Sequence, residues 1–236
     1  MNEDTIYKKP KKTWLTCLYG SIFIVLCFIL VMVIIFNIKY ISAPVEGSSM
    51  QPTLNGVSLD KEDTVYINKF AKYGLGDIIV IKSPTEKDKY IIKRVIGLEG
   101  DTISIYNDGE KYVLERTDST NCKAHIVQED YIKSVEGMEK TYQNLFNERT
   151  GLINSEKWKS CFSYDSEQDR HYFTVPAGTV FVLGDNRQDS LDSSISGPFN
   201  IESVVGKVEH IVKYGESKLG YFIKDFFWRK IKITSY

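Results

Sequence analysis

The stretch YIIKRVIGLEGD, residues 90–101, decides how the chain has to be read. With a period of two, Ile91, Lys93 and Val95 face one way and Ile92, Arg94 and Ile96 the other. Both faces are mainly apolar, as in a strand covered on both sides, and yet each carries a cation. A lysine set between Ile91 and Val95 is partly stripped of water. Desolvation disfavours the ammonium form and lowers the pKa from its reference near ~10.4, and a neutral amine can act as a general base. On this stretch alone the simpler account is that Lys93 and Arg94 snorkel from an edge strand or pair with carboxylates.

Short β-branched runs bounded by turn residues extend on both sides of it. Residues 63–70, 77–83, 90–97, 101–107, 111–116, 171–175, 179–184 and 204–214 all read as strands. Asn107, Asp108 and Gly109 between two of these runs signal a hairpin, because these residues tolerate the positive φ of tight turns. From 117 to 170 the texture becomes polar, with weak helical spacing around YQNLF (142–146), and an inserted subdomain is expected there. The tail GYFIKDFFWRKIKITSY (220–236) reads as a closing strand or helix on the barrel in preference to a membrane-surface contact.

Upstream, residues 13–38 (TWLTCLYGSIFIVLCFILVMVIIFNI) hold no charged side chain, and a hydrocarbon layer needs about 20 such residues of helix. A transmembrane helix is expected. Lys8, Lys9, Lys11 and Lys12 precede it in a basic segment, 1–12, so the N-terminus is expected in the cytoplasm and the rest outside it. A cleaved secretory signal shares the basic start and apolar run, but its apolar core is usually about 7–15 residues, and Pro44 follows the small residue Ala43 directly.

The formal net charge of −1 argues against a nucleic-acid partner held by a general electrostatic footprint. Cys17 and Cys27 in the apolar run are simply small apolar residues, while Cys122 and Cys161 lie where one disulfide is feasible. No spacing of Cys and His resembles a metal site, and no cofactor or metal is expected.

Two further stretches carry candidate chemistry. GSSMQPTL (47–54) follows the apolar run; Ser49 is 11 residues past Ile38, within at most about 36 Å of extended chain. VLGDNRQDSLDSS (182–194) runs from an apolar strand into Asp185 and Asn186, natural turn formers, with Arg187, Ser190 and Asp192 crowded behind. A serine needs an activating base, and His125, His171 and His210 are scattered, which leaves the lysine of residues 90–101.

Taken in order, SMQPTL after an N-terminal anchor, GDIIVIK, YIIKRVIGLEGD and GDNRQDSLDS resemble the bacterial type I signal peptidases, membrane-anchored Ser/Lys proteases. The resemblance implies a mainly β fold: a transmembrane helix, then a coiled antiparallel β-sheet or SH3-like barrel of the kind shared with self-cleaving repressors, over 39–116 and 171–236, with 117–170 as a small insertion. It implies Ser49 as nucleophile and Lys93 as general base, with Gly184, Asp185, Asn186 and Arg187 as the turn beside them. Ser190 would position the lysine amine, and Asp192 would be a structural acid paired with Arg94. Val45, Gly47, Ser48, Met50 and Ile92 would meet the substrate, with Val45 and Ile92 lining shallow pockets for small P1 and P3 residues.

Gly47 stands where many relatives have a serine that donates to the oxyanion hole, Glu99 stands for the proline of GLPGD, and Ser194 for the arginine after Asp-Ser. Expected partners are secretory preproteins, the lipid bilayer and functionally the secretion translocon, with a monomer in the bacterial cell membrane. The rivals are a non-catalytic relative that assembles exported proteins such as pilins, a narrow-specificity peptidase, and a self-cleaving repressor, which would need a DNA-binding module where this chain has its apolar helix.

Overall fold

The computed structural model describes residues 13–57, 61–84, 86–132, 134, 136–215 and 233–235. The basic segment 1–12, with its four lysines, and most of the tail 220–236 lie outside them. The chain forms two compact units, one up to Lys39 and one from Tyr40 onward.

Helix α1, Thr13–Lys39, ends one residue beyond the expected span. It is apolar all round, and Trp14, Phe23 and Phe28 are exposed together with most of its other large apolar side chains. A helix of this kind has no stripe to turn away from water and is stable only in an apolar solvent. Its 27 residues rise about 40 Å, enough to cross a membrane by length and composition.

The second unit is mainly β and antiparallel. Its strands are β1 (Tyr40–Gly47), β2 (Thr64–Asn68), β3 (Ile78–Lys82), β4 (Tyr90–Gly97), β5 (Thr102–Asn107), β6 (Tyr112–Thr117), β7 (Ala124–Ile126), β8 (Phe162–Asp165), β9 (Arg170–Thr174), β10 (Thr179–Leu183), β11 (Phe199–Asn200), β12 (Val204–Val212) and β13 (Ile233–Ser235). Helices α2 (Glu136–Phe146) and α3 (Ser193–Ser196) complete it. Strands β3, β4, β13, β1, β2 and β12 pair in a closed ring, with β10 and β11 continuing from β4. A second sheet runs β7-β6-β5-β9-β8.

The two-sided pattern of residues 90–101 is realised in β4. Ile92 joins Ala43, Val45, Met50, Leu54, Val65, Ile67, Ile78 and Val80 in one buried cluster; Ile91 and Val95 join Ile79, Ile81, Val180, Val182 and Phe199 in another. The hairpin forms where Asn107–Gly109 signals it: Gly109 has φ +105°, and its N–H donates to Asn107 Oδ1 at 2.9 Å.

Strand β1 was not expected, because Pro44 and Gly47 interrupt its pattern. Proline is tolerated since the amides of Val45 and Gly47 point to Asp63 and to Gly56, which places residue 44 toward the opposite edge. The residues between the apolar run and GSSMQPTL are therefore a fully paired strand and not a loose connection; Ala43 and Pro44 lie opposite Val65 and Thr64.

Segment 117–170 contributes β7, α2 and β8. Met138, Leu145, Phe146, Leu152 and Trp158 pack with Ile103, Ile105, Leu114, Phe173, Phe181 and Leu183 in one core, so its apolar residues are shared with the flanking sheet. Cys122 and Cys161 are both free thiols.

Candidate active site

Past β1 the chain turns tightly over residues 48–54, and the bonds Gln51 N–H to Ser48 O (3.0 Å) and Leu54 N–H to Met50 O (2.8 Å) fix that turn. Met50 and Leu54 anchor it in the buried cluster. Ser49 is thereby held under β4, where the Lys93 Nζ lies 2.6 Å from its Oγ. Both residues have 0% exposure. Burial is the strongest influence on the lysine, pushing its pKa down to about 8 against the upward pull of the Asp192, Asp185 and Asp189 carboxylates. About a tenth of it is then free amine at pH 7. A hydroxyl in contact with a partly neutral amine is the arrangement a serine nucleophile needs from a base.

The turn after β10 holds the serine loop in place. The Asn186 backbone N–H donates to the Ser49 carbonyl at 2.9 Å and its Nδ2 to the Ser48 carbonyl at 3.2 Å. Gly184 is needed because Ser190 and the Ser49 carbonyl leave no room for a side chain there. Asp185 takes Arg94 Nε at 2.8 Å and Nη2 at 2.6 Å in a bidentate pair, and also accepts from Thr53 Oγ1 at 2.5 Å. A salt bridge with the carboxylate wholly buried is a positioning device more than a source of stability.

Two expected contacts are corrected. Arg94 pairs with Asp185, not Asp192, because both planar groups reach each other across the β4–β10 ladder, where Arg94 stands opposite Leu183. Asp192 instead accepts from Gly184 N–H (2.9 Å), Ser194 N–H (3.0 Å) and Ser194 Oγ (2.8 Å), capping α3. Ser194, standing where the motif usually has arginine, thus satisfies the same acid with a hydroxyl. Ser190 does not bond Lys93: its Oγ is buried over Gly184 and has no hydrogen-bond partner among the described residues.

Val45, Met50 and Ile92 are wholly buried in the cluster beneath the site. Gly47 has φ +97°, a conformation that favours glycine, so a serine at this place would be strained in this chain. The Ser48 hydroxyl donates to Asp189. Among the described residues the Ser49 backbone N–H has no acceptor. With its hydroxyl already engaged, Ser48→Ala is expected to lower kcat less than about tenfold, well short of the ~10²- to 10³-fold loss of an oxyanion donor; steady-state cleavage rates check this.

Sequence reasoning missed the residues that brace the turn from segment 117–170. Arg187, buried, donates through Nε to the Gly184 carbonyl at 2.9 Å and is paired by Glu129. Arg94 stacks on Tyr131 with its guanidinium carbon 4.0 Å from the ring centroid. Helix α2 approaches so closely that a Cβ at Gly137 would lie 2.6 Å from the Arg187 Cβ, and Lys140 Nζ bonds the Gln188 carbonyl at 2.5 Å. Glu129 and Tyr131 sit in a polar run that gives no local sign of burial.

Comparison with known proteins follows the same lines. The family model described as signal peptidase, peptidase S26, matches residues 16–213. Signal peptidase I from Pseudomonas aeruginosa is 29% identical over 208 residues, covering 81% of this chain and 66% of that protein. Signal peptidase I from Pseudomonas fluorescens is 28% identical, covering 93% and 80%, and that from Bacillus caldolyticus 35% identical, covering 70% and 75%. With the match spanning most of its length and its serine, lysine and Gly-Asp-Asn turn gathered at one place, the chain belongs to the signal peptidases of peptidase family S26, and its activity is that of signal peptidase I, a serine endopeptidase.

Proposed function

We propose that Ser49 and Lys93 form the catalytic dyad with which this chain removes signal peptides from exported preproteins. The observation that carries this is the 2.6 Å contact between the Ser49 hydroxyl and a wholly buried lysine amine. The neutral Nζ takes the Ser49 proton as Oγ attacks the scissile carbonyl. The backbone N–H of Ser49 donates to the oxyanion. The Lys93 ammonium then protonates the leaving amine, freeing the mature protein, and the acyl group stays on Ser49. Neutral again, Lys93 activates water, the ester is hydrolysed, and the signal peptide leaves as a carboxylic acid.

Small residues at P1 and P3 would pack beside β1 and β4, near Val45 and Ile92. Segment 117–170 is an insertion into the catalytic body, 39–116 and 171–236, and serves to brace the turn at 184–187. The apolar helix anchors the chain, the lysines before it keep residues 1–12 in the cytoplasm, and the catalytic body works outside the cell membrane as a monomer, supplied by the translocon.

Cleavage of a preprotein in detergent, followed across pH, tests this reading. The Lys93 pKa is lowered, so the reactive amine is lost below it: kcat/KM is expected to rise about tenfold per pH unit up to about pH 8 and then level off. A flat profile between pH 6 and 8 would remove Lys93 as the base, and no cleavage at any pH would remove the peptidase reading.

A further inference from the structure

The ring of strands is closed by a piece of chain that does not share its pattern. Strands β1 and β4 lead to Ser49 and carry Lys93, and β13 lies between them, hydrogen-bonded to both. Its pairings are parallel, whereas the other strand pairs among the described residues are antiparallel. The register sets Ile233 beside Val45 and Tyr90, Thr234 beside Glu46, and Ser235 beside Gly47. The segment therefore runs toward the nucleophile turn and ends its pairing two residues short of Ser49.

Taken away, β13 would leave facing edges on β1 and β4, the arrangement that an extended peptide fills by adding a strand. Ser49 and Lys93 themselves have 0% exposure, so a preprotein meets the hydroxyl only after part of the chain moves aside.

We infer that β13 is a tethered occupant of the groove through which a preprotein reaches Ser49, so that the chain inhibits itself until a substrate displaces it. This rests on the dyad reading above. Three residues paired with β1 and a single pair with β4 make a weak strand, one that a longer peptide on the same edges can replace. Tethering compensates for the weakness, since a linked segment is present at an effective concentration in the millimolar range. If it fills the groove about nine-tenths of the time, the apparent KM is raised about tenfold.

The test compares the full chain with a version lacking residues 231–236 and with Ile233→Pro, which removes a strand amide. Cleavage of a preprotein and backbone hydrogen exchange are both read. The amides of Val45 and Gly47 point to Asp63 and Gly56, so by alternation the Glu46 amide faces β13 and reports its presence. Both variants are expected to show KM lowered about tenfold at nearly constant kcat, and Glu46 exchange at least about tenfold faster. A synthetic peptide of residues 231–236 added to the shortened chain should raise KM again. Unchanged KM, or equal Glu46 exchange in all three proteins, would overturn the inference. Should none of the three cleave a preprotein, the dyad reading fails, and faster Glu46 exchange in the variants would still report the strand's place in the groove while its inhibitory role falls with the activity.

Discussion

Lys93→Met is expected to lower kcat/KM by at least about 10³-fold without lowering the melting temperature. Methionine keeps the length and apolar stem of the lysine but has no amine to receive the serine proton. The native lysine costs stability because its ammonium is desolvated, and burial is the first cause of its lowered pKa. A thioether in the same buried slot carries no such penalty. Loss of activity in a protein that melts no earlier than the parent cannot then be assigned to unfolding. Ser49→Ala is expected to be as inactive, and the double variant no worse than either, because a nucleophile and its base act as one unit. Preprotein cleavage and calorimetry on the four proteins measure both quantities. Additive losses would mean that the two side chains work separately, against their 2.6 Å contact.

Gly184→Ala is expected to reduce kcat about 10²-fold although residue 184 takes no part in bond making. An added Cβ would lie 2.2 Å from Ser190 Oγ and 2.6 Å from the Ser49 carbonyl oxygen. The serine hydroxyl can rotate away, but the carbonyl is backbone, fixed by the Asn186 N–H. The Ser49 turn must give way, and a displacement of about 1 Å is enough for such a loss. Ser190→Gly added to Gly184→Ala should recover little, since the backbone contact persists. Gly74→Ala, whose Cβ would meet only Asp77 Oδ2 at 4.0 Å, serves as the silent comparison. Steady-state kinetics on the three variants decide the matter.

The contrast between these positions explains how far the sequence could be read. Periodicity reports burial, so β4, with apolar residues on both faces, and α1, with no charge over its span, stand where the residues place them. Asn107–Gly109 carries its turn locally. The serine and lysine were legible because family spacing brings them together, and they do meet.

Partner choice was not legible. Asp185 and Asp192 are seven residues apart in one acidic stretch, and nothing local says which of them receives Arg94 and which caps a helix. Pro44 and Gly47 hid β1, because a strand defined by its neighbours need not show an unbroken pattern. Only the closing character of the tail was readable; its parallel pairing with residues far away in sequence was not.

Arg187 has a consequence for how this family member can be shortened. Its guanidinium lies inside the protein, 1% exposed, and its counter-charge, Glu129, comes from the polar stretch that would be the obvious part to trim. Neutralising Glu129 alone would leave the cation buried without its partner at a cost of about 3–5 kcal/mol, a large share of a domain's whole stability, whereas trimming the stretch removes the counter-charge together with Gly137 and Met138, which cover the guanidinium. A miniature of this enzyme would therefore open Arg187 to water, and its bond to the Gly184 carbonyl would no longer be made in a dry site.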